Sequence, residues 1–278
     1  MPADLMTVVF FGAEEGGRPA PMPAAEAEAT GVFLIDKPVG PTSFAMVQRV
    51  RRALSIKKVG HAGTLDPFAS GLLILCAGRP ATRIIDQLMA GDKEYRATLQ
   101  LGVETETQDP EGRVIAERPV IGVDDERIAR VLARFTGDLL QAPPPFSAVK
   151  HEGKPLYAYA RKGIVVTKEP RPVLIATLEA EFFEAATNRL TIRVVCSKGT
   201  YIRTLAADIG QALGCGAHLI ALRRLRSGPF RVEEAVDGAQ LAEREAARVL
   251  LAGHRLTVEV ALARAAAWPA LVRAPQSA

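Results

Sequence analysis

The chain has 278 residues, of which 48% are apolar and 24% charged, with a formal net charge of +4. That balance is ordinary for a folded globular protein, long enough for one large domain plus a small appendix, and it permits a polyanionic partner without requiring one. Cys76, Cys196 and Cys215 are too few and too far apart for a zinc quartet or a Cys-X-X-Cys pair, and the four histidines add no ligand spacing, so no metal site is expected. No apolar run approaches a membrane span and the N-terminus lacks a secretory pattern, which predicts a cytoplasmic protein that does not engage a membrane.

Residues from about Gly12 to Thr30 are dominated by Ala, Gly, Pro and Glu, and the first thirty residues read as a disordered leader. Val32 to Ile35 is the first convincing strand. Thr42 and Ser43 then offer N-cap oxygens to a helix whose apolar face is read as Phe44, Val47, Val50 and Leu54. Gly71 to Ala77 reads as a buried strand, Arg83 to Leu88 as a short helix, and Tyr95, Ala97, Leu99 and Leu101 alternate as in a half-buried strand. Ile128, Val131, Leu132 and Phe135 have helical spacing. Pro143-Pro144-Pro145 demands an irregular connection. Strands follow over Leu174 to Phe182 and Leu190 to Cys196, then a helix from about Tyr201 to Leu213. The irregular mixing of strands and helices predicts an α+β fold on a mixed, largely antiparallel central sheet flanked by helices. Beyond about Pro229 the chain turns rich in Ala, Glu and Arg. The expected division is a leader over 1–30, a main domain over 31–230 and a short C-terminal appendix over 231–278 with a frayed end.

Two segments could carry chemistry. Gly60 to Gly71 (Gly-His-Ala-Gly-Thr-Leu-Asp-Pro-Phe-Ala-Ser-Gly) places His61, Thr64 and Asp66 in a shaped loop directly before an apolar strand. A carboxylate held there can act as a nucleophile or base, or it can merely satisfy turn amides, as Asp before Pro often does. In Cys196 to Thr204 a strand ends in a glycine turn and a helix begins. Arg203 would then sit in the first helical turn, the unfavourable end for a cation, so a carboxylate partner such as Asp66 or simple solvation must account for it. Basic clusters at Arg49, Arg51 and Arg52, at Lys57 and Lys58, and at Arg223, Arg224 and Arg226 suit phosphates or solvated faces equally.

Taken in order from about Val32 to Phe230, these segments resemble the TruB family of pseudouridine synthases. Asp36-Lys37-Pro38-Val39-Gly40-Pro41-Thr42-Ser43 is similar to the family's opening Lys-Pro segment, Gly60 to Pro67 to its catalytic loop, Lys93-Glu94-Tyr95-Arg96 to its Lys-x-Tyr segment, and Ser197 to Arg203 to Ser-Lys-Gly-Thr-Tyr-Ile-Arg. The resemblance implies a pseudouridine synthase fold and three catalytic-site residues: Asp66 as the essential aspartate, Tyr95 against the target base, and Arg203 as the aspartate's partner. It further implies substrate contacts from Lys37, His61, Thr64 and Leu222, the last enclosing the base. The implied reaction is isomerisation of a flipped uridine to pseudouridine at position 55 in the T arm of tRNA, with no cofactor, no obligatory protein partner and a monomeric enzyme. The resemblance stops after Phe230, so 231–278 is read as a reduced PUA-like segment. Three rivals stay in view: a guide-RNA-dependent relative, a non-catalytic tRNA binder, and an aspartate hydrolase, which would need a second acid or a metal near Asp66.

Overall fold

The computed structural model describes residues 29–147, 149–164, 166–269 and 271; the leader up to residue 28 and the end from 272 lie outside the described residues. The sheet strands of the first half are β1 (Gly31–Lys37), β2 (Val59–Ala62), β3 (Ser70–Ala77) and β4 (Lys93–Leu101), with a side hairpin of β5 (Val103–Thr105) and β6 (Val114–Glu117). There follow β7 (Gly137–Gln141), a small hairpin of β8 (Lys150–His151) and β9 (Lys154–Pro155), and then β10 (Arg171–Glu184), β11 (Arg189–Cys196), β12 (Ala217–Ser227), β13 (Phe230–Arg231) and β14 (Val236–Asp237). The helices are α1 (Ser43–Leu54), α2 (Arg79–Arg83), α3 (Ile85–Leu88), α4 (Asp125–Arg134), α5 (Leu156–Ala160), α6 (Ile202–Ala212), α7 (Arg244–Gly253) and α8 (Val258–Ala267).

One ten-stranded sheet runs β14-β1-β3-β12-β4-β11-β10-β7, with β2 attached to β3 and β13 to β12. Only the β1–β14 and β3–β12 pairs are parallel; the others are antiparallel, which bears out the expected α+β class. In β1 and β3 both faces are covered, and the apolar run is correspondingly continuous. Phe33, Ile35, Leu73 and Leu75 enter the larger core beneath α1 and α6, while Val32, Leu34, Leu72 and Ile74 enter a second core beside α2, α3 and α8.

Helix α1 begins at its expected cap, where the Thr42 hydroxyl accepts a hydrogen bond from Ala45 N at 3.0 Å. Its buried face is Ser43, Met46, Val47, Val50 and Ala53, not the one that includes Phe44. At about 100° per residue Phe44 lies roughly 120° from the centre of that face, and the ring is 54% exposed. The single short helix expected over 83–88 is two turns, α2 and α3, hinged at Ile84.

Nine strands escaped the sequence reading, among them β2, β7 and, at the centre of the sheet, β12. The last hides behind its arginines, and a register shift between Arg224 and Arg226 breaks its period-two alternation. Arg224 is fully buried: it donates from Nε to Leu72 O at 2.7 Å and from Nη2 to Gly63 O at 3.1 Å. Arg226 clasps Asp92 at 2.7 Å and Glu94 at 3.0 Å, and Arg223 forks onto Asp36 at 2.9 and 2.6 Å. A cluster considered for phosphate contact is therefore committed inside the protein. Glycine is required where β3 meets β12: a β-carbon on Gly71 (φ +101°) would sit 2.3 Å from the Arg224 carbonyl oxygen.

Candidate functional site

The loop between β2 and β3 carries Asp66 and is clamped from two sides. Lys37, at the end of β1, is fully buried and donates from Nζ to Pro38 O at 2.9 Å, Pro41 O at 2.8 Å and Pro67 O at 3.3 Å. The Ser43 hydroxyl bonds both the N–H and the carbonyl of Leu65 at 2.9 Å, and Gly40 N donates to Pro67 O at 2.8 Å. From the other side Arg224 holds Gly63 O at 3.1 Å and Thr64 O at 3.5 Å. With its three donors spent on backbone carbonyls, Lys37 positions this loop and does not reach outward, contrary to its expected contact with substrate.

Asp66 Oδ2 meets Arg203 Nε at 3.0 Å, while the Asp66 side chain keeps 36% exposure. Arg203, buried in the first turn of α6, also donates from Nη1 to Thr107 O at 2.9 Å and to Asp109 Oδ2 at 3.2 Å, and from Nη2 to Phe146 O at 2.8 Å. The cation thus stands at the helix N-terminus because two carboxylates and two carbonyls surround it, which outweighs an unfavourable dipole. Burial pushes the Asp66 carboxyl above its ordinary range; the Arg203 charge opposes this, and the nearby Asp109 adds to it. The Lys37 ammonium is lowered to about 8, chiefly by burial, with Asp66 acting against the fall.

Tyr95 lies on β4, half-buried, opposite Arg224 in register. Burial raises its phenol, with Arg224 opposing and Cys196 and Asp66 adding. Leu222 is buried opposite Ala97 and lines a cleft of about 680 Å³ shared with Val39, Phe68, Ser70 and Pro110. His61 lies half-buried on β2, where burial and then Arg224 hold its imidazole below the ordinary value; the neutral ring is favoured. Thr64 is exposed on the loop. The fold therefore brings Asp66 onto Arg203 with Tyr95 close enough to feel the Asp66 charge, and sets Leu222 on a cleft that Phe68, from the same loop as Asp66, also lines.

Asp109 was not legible beforehand. Its Oδ1 accepts from the Thr107 hydroxyl and from Glu111 N at 3.0 Å, and Thr105 Oγ1 donates to Asp109 O at 2.7 Å, so the segment 105–111 is a tight acidic turn. The available signal was a second Asp-Pro pair, Asp109-Pro110, echoing Asp66-Pro67. Among the described residues no group of three or more His, Cys, Asp or Glu is arranged to hold a metal ion.

A half-open carboxylate pinned by a buried arginine between a glycine loop and a helix start is the arrangement that the resemblance implied. Residues 51–202 match the TruB family pseudouridylate synthase (N terminal domain), and residues 203–263 match the tRNA pseudouridylate synthase B C-terminal domain. The chain belongs to the TruB family. It is 60% identical over 217 residues to tRNA pseudouridine synthase B of Desulfotalea psychrophila, covering 77% of this chain and 88% of that protein. It is 49% identical over 229 residues to the tRNA pseudouridine synthase B of Bordetella pertussis, covering 81% of this chain and 93% of the relative. Among solved structures, the crystal structure of a Cbf5-Nop10-Gar1 complex aligns with a TM-score of 0.66 at 29% identity, over 91% of this chain and 68% of the other.

Proposed function

We propose that this protein isomerises uridine to pseudouridine in the T arm of tRNA, at position 55, with Asp66 as the catalytic carboxylate. The observation that carries the reading is the Asp66–Arg203 pair at 3.0 Å, which leaves the carboxylate partly open while its partner is wholly buried. A uracil inside a folded RNA arm hides its C1′ and C6 atoms, so the nucleotide is extruded to meet Asp66. Leu222 and the Tyr95 ring bound the base, and His61 and Thr64 meet the opened loop. The C1′–N1 bond breaks and a C1′–C5 bond forms. C5 loses a proton and N1 gains one, so atoms balance and no electron carrier is required. Asp66 must be ionised to attack or to take a proton, and Arg203 opposes the neutralising effect of burial. Attack on C1′, attack on C6 and removal of the 2′ proton all draw on the same carboxylate.

The other acid, Asp109, does not favour hydrolysis. It is buried, and its oxygens are taken by Arg203, Thr107 and the Glu111 amide, so it steadies the arginine and has no path to an attacking water. The identities of 49–60% to proteins named tRNA pseudouridine synthase B, against 29% to a chain of the Cbf5-Nop10-Gar1 complex, favour a stand-alone tRNA enzyme, which we read as a cytoplasmic monomer. The chain divides into a catalytic unit over 31–230 and a C-terminal segment over 231–278, whose described residues up to Trp268 pack on the catalytic sheet. The described residues contain no helix long and apolar enough to cross a membrane.

The test is Asp66→Asn. Shape and turn contacts persist while the charge is lost. Pseudouridine formation on an unmodified tRNA transcript, read by carbodiimide labelling and primer extension, should vanish. Affinity measured by filter binding should stay within about tenfold, roughly 1.4 kcal/mol. Turnover near the parent rate would remove Asp66 from the reaction.

A further inference from the structure

One feature of α1 stands outside the catalytic account. Around the helix axis, Phe44, Gln48, Arg51, Arg52 and Ser55 fall within roughly 100° of one another, on the face turned away from the core. The Arg51 guanidinium lies 5.6 Å from the centre of the Phe44 ring, which remains 54% exposed. Farther along, Gln48, Arg51, Arg52, Ser55, Ile56 and Lys57 line an open groove of about 500 Å³. Arg244, from the start of α7, reaches the same groove by donating to the Ser55 hydroxyl at 3.1 Å.

The charge on α1 itself is of one sign, and the acid that faces it is Glu243, within electrostatic reach of Arg52. Helix α1 contains no carboxylate. The nearest acid on α7's flank, Glu243, already accepts from the amides of Glu245 at 3.0 Å and Ala246 at 2.6 Å, and Glu245 pairs with Arg248 at 3.1 Å. The aromatic end of the stripe adjoins the catalytic loop, because Ser43 is hydrogen-bonded to Leu65, the residue before Asp66, on both of its backbone groups. From Phe44 to Arg52 the helix rises about 12 Å, room for on the order of three or four nucleotides of one strand.

We propose that this face of α1 is a second RNA-binding track, on which Phe44 stacks a substrate base beside the catalytic loop while Arg51, Arg52, Lys57 and Arg244 follow the phosphates leading away from it. The inference rests on the reading of the chain as a tRNA-modifying enzyme and adds to it a surface outside the Asp66 site. An exposed ring beside a row of cations is what unpaired or splayed RNA requires: a π-face tolerant of any base, and charge to release counterions from the backbone. A solvated helix face would be expected to carry acids among its bases, and α1 carries none.

The experiment uses the full chain and an unmodified tRNA transcript. In Arg52→Gln/Lys57→Gln/Arg244→Gln the Kd at 0.1 M salt should rise about tenfold, and the slope of log Kd against log salt should fall by about 2. The charge-retaining Arg52→Lys/Lys57→Arg/Arg244→Lys should restore both, which separates lost charge from lost structure. Phe44→Ala should raise Kd several-fold and Phe44→Tyr should not, with kcat at saturating tRNA unchanged in each. An unchanged salt slope in the Gln variant overturns the phosphate track, and equal Kd for Phe44→Ala and the parent overturns the stacking platform. Binding needs no turnover, so a failure of Asp66 as the catalytic group would leave these measurements standing.

Discussion

Asp66 sits in a compromise between reactivity and stability. Its carboxyl is raised above the ordinary range because burial outweighs the pull of Arg203. An acid whose folded pKa exceeds its unfolded one takes up protons on folding. Its stabilising contribution is therefore complete below the unfolded value and is lost as pH rises through the folded value. At neutral pH the ionised side chain costs stability, and catalysis needs that form. Asp66→Asn should thus melt at or above the parent temperature near pH 7, and the difference should shrink as pH falls toward the ordinary carboxylate range. Asp109 makes this possible, since it keeps a negative partner at 3.2 Å from Arg203 after Asp66 is neutralised. Thermal melts of both proteins across pH 4–8 check the point; a variant less stable than the parent at every pH would show that Arg203 depends on Asp66 for its place. Activity should follow the opposite limb, falling as acid protonates Asp66 at a pH above that typical of an exposed aspartate.

At the scale of elements, β12 does the most to hold the site, yet its sequence disguises it. Arg224 carries a buried guanidinium that binds Leu72 O in β3 and Gly63 O in the catalytic loop, so one side chain ties strand to loop. Arg224→Gln should cost about 3 kcal/mol, because carbonyls that were paired inside the protein are left without donors. It should also lower kcat by loosening the loop, and urea denaturation with single-turnover assays would measure the two effects. Parent-like stability would mean that the carbonyls find other donors. The strands with plain alternation, such as Tyr95 to Leu101, and the capped start of α1 were readable because local pattern and tertiary role agree. β12 was not, because arginines at Arg224 and Arg226 occupy inward positions that only their carbonyl and carboxylate partners from distant segments make tolerable. Phe44 misled in the reverse sense: an aromatic at near-helical spacing lies outside the core because Met46 and Ala53 take the inner face. Of the site, the loop carrying Asp66 and the helix start carrying Arg203 were legible as segments, and the resemblance supplied their pairing. Asp109 reaches them only through the folding of an unremarkable turn.

For the molecule as a whole, the C-terminal segment closes over the sheet and does not hang from it. Leu256 exchanges backbone hydrogen bonds with Val32 at 2.9 and 3.0 Å, and Arg264 pairs with Glu234 at 2.8 Å. The chain's single tryptophan, Trp268, donates from Nε1 to Asp92 Oδ1 at 2.7 Å, and its ring centre lies 4.8 Å from the Arg226 guanidinium. Arg226 in turn clasps Asp92, just before β4, and Glu94, next to Tyr95 on β4, so Trp268 is coupled to the strand that bears the base-facing ring. Burial alone would push Asp92 up, but the hydrogen bonds from Arg226 and Trp268 hold it below the ordinary carboxylate range. Its stabilising contribution is present above the unfolded value and is lost as pH falls through the folded one. Trp268→Ala removes the indole donor and the ring over Arg226, at a cost of about 2 kcal/mol at pH 7, or roughly 4 to 8 °C in melting midpoint for a chain of this size. Trp268→Phe keeps a ring over the guanidinium and loses only the hydrogen bond, so it should fall about halfway. In the parent, unfolding followed by Trp268 fluorescence should coincide with unfolding followed by far-ultraviolet circular dichroism, because the latch and the sheet share a buried ion network and should melt together. An earlier fluorescence transition, with most of the dichroism retained, would mean that the C-terminal segment opens independently and that the catalytic sheet stands without it.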